Sequence, residues 1–249
     1  MDKKQFSLTA ILIIPFISII TLSVSIVGFI SFINGRDAVN EVAHQLRSEI
    51  TKNIEHHITL FLETPHQIIQ KNIALISQGE LEFHNKGEME RHFLNEVQFF
   101  ETITSLYFGF PEGGMVGAGR EGVGTTYYTT ETETYSNGLW SKYAVNNDGK
   151  REAVIVQVED FDARTRPWYS GAIEAQQPIW SNMYVLFSGH DLAIAASQPV
   201  YNRDGKFLGV ISIDIFASHL SKFLQNLEIG KNGYGFIIER SGLLVASST

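Results

Sequence analysis

The sequence predicts an α+β protein: an apolar N-terminal transmembrane helix, a long amphipathic helix, an antiparallel sheet lobe and the start of a second lobe. Three observations carry this. Residues 5–35 hold no charged side chain. Apolar residues recur at three- and four-residue steps from Val39 to Ile73, the period of a one-sided helix. From about Thr102 onward, short β-rich runs alternate with glycine turns.

The N-terminal run, Leu8 to Ile33, is almost wholly apolar. As a helix it would reach about 39 Å, more than the roughly 30 Å hydrocarbon core of a bilayer. It is too long for a signal-peptide core and ends in "SFINGRDAVNE", with no small-residue cleavage pattern. Lys3 and Lys4 precede it and Arg36 follows. Positive charge on the N-terminal side places that end in the cytoplasm and everything after about residue 34 outside. The expected organisation is a cytoplasmic tail at 1–6, a transmembrane helix at 7–33 and a periplasmic helix with connector at 34–99. A membrane-distal lobe at 100–228 and the opening of a truncated proximal lobe at 229–249 complete it.

The amphipathic stretch from Ala38 to Ser77 would span about 60 Å as one helix, with Pro65 either kinking or breaking it. It is either a cover for the core or a stalk that pairs with a second copy into a homodimer and carries motion to the membrane. The segment Arg120–Gly149, rich in Thr, Tyr, Gly and Asn, reads as loops or edge strands. Glu152–Val158 reads as a strand and Arg166–Gln176 as a short helix. Leu192–Val200 and Lys206–Ile215 read as a hairpin turning at Asp204-Gly205. A helix begins near Ser218. "FGFPEGGMVGA" at 108–118 and "FIIERSGLLVA" at 236–246 coincide at an offset of 128 residues, which suggests two related hairpins in tandem lobes.

Composition excludes several functions. Formal net charge is -8, unsuited to nucleic acid. With no cysteine there is no disulfide and no thiolate metal site. No two histidines stand at helical ligand spacing, so neither a metal nor a cofactor is indicated. "GAGREG" at 117–122 fits G-x-G-x-x-G, but "VGTTYYTT" follows where a nucleotide site needs a helix.

The chemistry concentrates in "DARTRPWYSGAIEA" at 162–175. Pro167 suits the first turn of a helix. Arg166 at the cap, beside free amides, would receive a carboxylate, with Trp168 and Tyr169 as walls. Alternatively Arg166 pairs with Asp160 or Asp162 on the surface and Trp168 fills the core. Asp214 lies in "FLGVISIDIFA" among apolar neighbours, on the strand face of Leu208, Val210, Ser212 and Phe216. Buried there it requires an arginine, a helix cap or a ligand amine.

With "IWSNMYVLFSG", "IAASQPVYNRDGKFLGVISIDI" and "IGKNGYGFIIERSGLLVASS" added, the chain resembles the double-Cache sensor domains of bacterial receptors. The resemblance implies a PAS-like lobe that binds a small ligand (an amino acid, amine or carboxylate). It also implies an output module elsewhere, such as a chemoreceptor, diguanylate cyclase or histidine kinase domain; no G-x-S-x-G elbow or nominated carboxylate pair points to catalysis in the present segment. Arg166 and Trp168 match the positions that hold a ligand carboxylate, with Tyr169 beside them. Tyr184 and Asp214 match the amine side, and Tyr107 is a further candidate. A second aspartate expected two residues after Tyr184 is Leu186 here. The alternatives are a membrane-anchored hydrolase and a structural or adhesion module.

Overall fold

The structure is a computed structural model that describes residues 8–121, 124, 126–186, 192–227 and 233–249. The tail expected at 1–6 and the lobe boundary expected at 228–229 lie outside the described residues. The chain divides into two compact units, Met1–Glu55 and His56–Thr249.

Helix α1, Leu8–Gln78, contributes to both units and runs through Pro65 without a break. Its first unit includes an apolar stretch of mean hydropathy 2.5, long enough to cross a membrane. Leu12, Phe16, Ile20, Val24 and Phe29 are all exposed there.

The second unit is built on a nine-stranded sheet whose paired strands are all antiparallel. In chain order the strands are β1 (Ser105–Gly109), β2 (Met115–Arg120), β3 (Tyr127–Thr132), β4 (Gly138–Val145), β5 (Arg151–Phe161), β6 (Ile179–Trp180), β7 (Tyr184–Val185), β8 (Leu192–Tyr201) and β9 (Phe207–Phe216). In space they run β5-β4-β3-β2-β1-β9-β8-β6, with β7 also on β8. Segment 120–149, expected as loops or edges, therefore supplies the interior strands β3 and β4. Its Thr and Tyr residues are β formers that pack well on a pleated surface.

One face of the sheet is covered by the end of α1 and by α2 (Lys86–Phe99): Ile69, Met89, Phe93, Leu106, Phe108, Ile211 and Ile213 are all fully buried in one cluster. The other face carries α3 (Pro167–Ala175) over Tyr107, Met115, Trp140, Trp168 and Val210. The alternation along β9 decides these sides, with Ile211 and Ile213 on the first and Val210 on the second. Leu208, expected on the Asp214 face, instead joins the α1/α2 cluster, because a bulge opposite Val200/Tyr201 shifts the register.

Helix α4 (Ala217–Gln225) follows β9 and packs with a hairpin of β10 (Phe236–Ile238) and β11 (Leu244–Ser247) around Phe61, Ile215, Leu220 and Val245. The two echoing hairpins do share a turn. Phe110 N donates to Gly114 O at 2.8 Å, and Glu239 N to Leu243 O at 2.9 Å. The left-handed glycines, however, are Gly113 (φ 100) and Gly242 (φ 90), so the true equivalence is one residue away from the sequence echo. A slip of one residue reverses every side chain across a strand, so the echo reflects shared turn chemistry and not shared facing.

Candidate ligand-binding site

Asp214 is 3% exposed at the centre of the α3 face. Its neighbours across the ladder are Ser105 on β1 and Ala195 on β8, both small. Ser105 Oγ donates to Oδ2 at 3.0 Å, while the Tyr107 and Tyr184 hydroxyls donate to Oδ1 at 2.7 and 2.6 Å. Tyr107 arrives from β1 two residues after Ser105, and Tyr184 from β7, opposite Ala193. Three donors thus converge on one carboxylate.

Burial pushes the Asp214 carboxyl up to about 6, against the pull of the three hydroxyls and the more distant Arg166 guanidinium. The same burial, with the carboxylate beside them, holds both tyrosines well above their ordinary range.

A cavity opens over this cluster. Its volume is about 40 Å³. Its walls include Tyr107, Tyr184, Trp168, Tyr128, Trp140 and Leu186, with Asp214 at the base. Trp168, 2% exposed in the opening turn of α3, meets Tyr107 edge-on at 4.8 Å.

The glycine motif of β2 serves this cavity. Gly117 lies across from Tyr107, and Gly119 between Ser105 and Tyr128. A Cβ at Gly119 would stand 2.4 Å from the Tyr128 ring, and one at Gly117 2.4 Å from Tyr107 Cβ. The absent side chains let aromatic groups from the flanking strands lie over β2.

The structure brings four of the six sequence candidates to the cavity wall: Tyr107, Trp168, Tyr184 and Asp214. Arg166 and Tyr169 are not among the wall residues. Arg166 caps α3 through its backbone, is half-buried, and its Nη2 reaches Val185 O at 3.4 Å. The amides of Tyr169 and Ser170 both donate to the Arg166 carbonyl, which reduces the free donors expected at this helix start. Asp162 pairs with Arg164 at 2.6 Å and not with Arg166. Tyr169 turns its hydroxyl to Phe110 O at 3.3 Å, bracing the first hairpin.

Ser105, Met115, Tyr128, Thr130 and Trp140 also wall the cavity and were not candidates from sequence. Tyr128, Thr130 and Trp140 share a sheet face with Met115 only once β3 and β4 are recognised as strands.

The sheet thus carries α1 and α2 on one face, and α3 beside an aromatic, carboxylate-based cavity on the other. The Cache domain family (dCache) matches residues 35–249, and the chain belongs to it. Among curated relatives, the methyl-accepting chemotaxis protein McpB of Bacillus subtilis is 23% identical over 252 residues, covering 98% of this chain and 31% of the relative. McpC of the same organism is 32% identical over 89 residues, 35% of this chain and 13% of the relative. The chain thus spans about a third or less of the length of these relatives. The fold is shared with the ligand-binding domain of the Pseudomonas aeruginosa amino-acid chemoreceptor PctC in complex with GABA. That similarity has a TM-score of 0.51 at 18% identity, covering 80% of this chain and 73% of the other. The ligand-binding domain of Mlp24 with asparagine has a TM-score of 0.51 at 17% identity, covering 85% and 72%.

Proposed function

We propose that this chain is the extracytoplasmic sensing region of a bacterial membrane receptor, with the site over Asp214 taking a small ligand that bears an amine and a carboxylate. The observation that carries the reading is the buried Asp214 carboxylate, held by three hydroxyls at the base of an aromatic cavity. Three of the roughly four acceptor positions of a carboxylate are used, which leaves Oδ2 able to receive an ammonium donor. A ring face of Trp168, Tyr107 or Trp140 turned to that cation would attract it. Arg166, near enough to favour the Asp214 anion, would take the ligand carboxylate after a rotamer change. GABA and asparagine, held by relatives of the same fold, both carry this pair of groups.

In this account the apolar part of α1 crosses the inner membrane, with the N-terminus cytoplasmic and residues after about 34 outside. α1 would pair with a second copy, and ligand binding would bias an output domain in the remainder of the protein. A chemoreceptor domain has the strongest support, because the curated relatives described above are chemotaxis proteins.

The test is thermal unfolding of the whole extracytoplasmic region across a panel of amino acids, amines and carboxylates. A ligand at a hundredfold excess over its Kd should add about 2.7 kcal/mol, seen as a rise of a few degrees. The reading fails if no member of the panel raises the midpoint, or if Asp214→Ala and Arg166→Ala keep the full rise.

A further inference from the structure

A second polar site lies away from Asp214, where β2 ends. Arg120, the last residue of β2, is only 4% exposed. Its Nη2 donates to the carbonyls of Val97 and Phe100 and its guanidinium stands 5.5 Å from the centre of the Tyr127 ring, while Nε has no hydrogen-bond partner. Among the described residues no carboxylate comes within 4.0 Å of it. The adjacent Glu121 is turned to Lys142 instead, at 2.5 Å. A guanidinium this buried is ordinarily matched by an anion.

Arg120 borders a cavity of about 310 Å³, separate from the Asp214 cavity. Thr102 on its wall also has a buried hydroxyl with no partner. From α4, the Lys222 ammonium stands exposed at the rim and Phe223 stacks on Phe61 of α1, ring centres 4.3 Å apart. Glu101 is the one carboxylate on the described wall and it is exposed. The wall therefore combines a buried cation, a second cation at the mouth and an apolar aromatic surface.

We infer that this cavity is a second ligand site, for a small organic oxyanion with an apolar body. The Arg120 cation suits a carboxylate or a phosphate monoester, Lys222 adds long-range attraction, and the Phe61–Phe223 wall receives the body. A bare inorganic anion would leave that wall unfilled. Because α1 and α4 both border the cavity, an occupant bears directly on the helices that adjoin the sheet.

The test uses the full-length protein and three probes: benzoate, phenyl phosphate and inorganic phosphate, followed by calorimetric titration. Benzoate or phenyl phosphate is expected to bind, and inorganic phosphate at least tenfold more weakly than phenyl phosphate. Lys222→Glu, at an exposed position, should weaken binding at least tenfold, and Arg120→Gln should weaken it further. Asp214→Asn should leave it unchanged, which separates this site from the first. The inference is overturned if neither organic probe binds up to about 10 mM, a free energy near −3 kcal/mol. It is equally overturned if Lys222→Glu binds as wild type or if Asp214→Asn abolishes binding. Should Arg120→Gln fail to fold, Lys222→Glu decides alone.

Discussion

The two faces of the central sheet share the same strands yet are built on opposite terms. Toward α1 and α2, β9 presents Ile211 and Ile213 to Phe93, Met89 and Leu106, every one fully buried. Toward α3, the same strand presents Asp214 to Tyr107, Tyr184 and Ser105 beneath a cavity. The first face is close-packed apolar surface, whose burial drives folding. The second gives up part of that packing for space and a costly buried charge. Because side chains alternate, a ten-residue strand can be scaffold on one side and binding site on the other. The strong face holds the weak one in shape.

The contrast is broken most severely from the scaffold side. Phe93→Ala empties a site with no exposure and should cost about 3–5 kcal/mol of stability, read from urea unfolding. A loss under about 1 kcal/mol would show that the two faces do not differ as described.

On the other face a substitution should stabilise. The Asp214 value of about 6 lies above its ordinary 3.8. Its contribution to stability is therefore full below about pH 4 and lost as pH climbs through about 6. The difference corresponds to roughly 3 kcal/mol. Asp214→Asn removes this penalty and keeps the local bonding: its amide oxygen still accepts from both tyrosines, and its N–H donates to Ser105 Oγ. Without ligand, the variant should be the more stable by up to about 3 kcal/mol at pH 8, the gap closing toward pH 4. Unfolding midpoints across that range check it.

A smaller effect sharpens the role of the β2 glycines. Gly119→Ala places a methyl group 2.4 Å from the Tyr128 ring. The ring's far end can swing into the cavity, so stability should fall by only about 1 kcal/mol. Ligand affinity should drop about tenfold, or 1.4 kcal/mol. Equal affinity in the variant would separate Tyr128 from the site.

Much of this was legible in the sequence because the relevant signals are local. The alternation in "FLGVISIDIFA" marked Asp214 as a carboxylate among apolar neighbours. The turn at Asn202–Lys206 declared itself through Asp204-Gly205, and Asn202 Oδ1 accepts from the amides of Asp204 and Lys206. What escaped depends on long-range register. Tyr128, Thr130 and Trp140 face Asp214 only because β3 and β4 lie inside the sheet, and Thr- and Tyr-rich segments serve loops and strands alike. Ser105 gains meaning only from lying opposite Asp214, 109 residues away in the chain. Tyr169 and Trp168 are adjacent, yet helical geometry sends one to the first hairpin and the other to the cavity.

The central claim, that Asp214 is the recognition group of a ligand site, is tested most directly by calorimetric titration at pH 8. Wild type and Asp214→Asn would be compared with whichever amine-bearing ligand raises the unfolding midpoint. The account predicts at least a hundredfold loss of affinity, about 2.7 kcal/mol, in a variant that is more stable than wild type without ligand. Equal affinity in the two proteins would contradict it and make Asp214 a structural carboxylate alone.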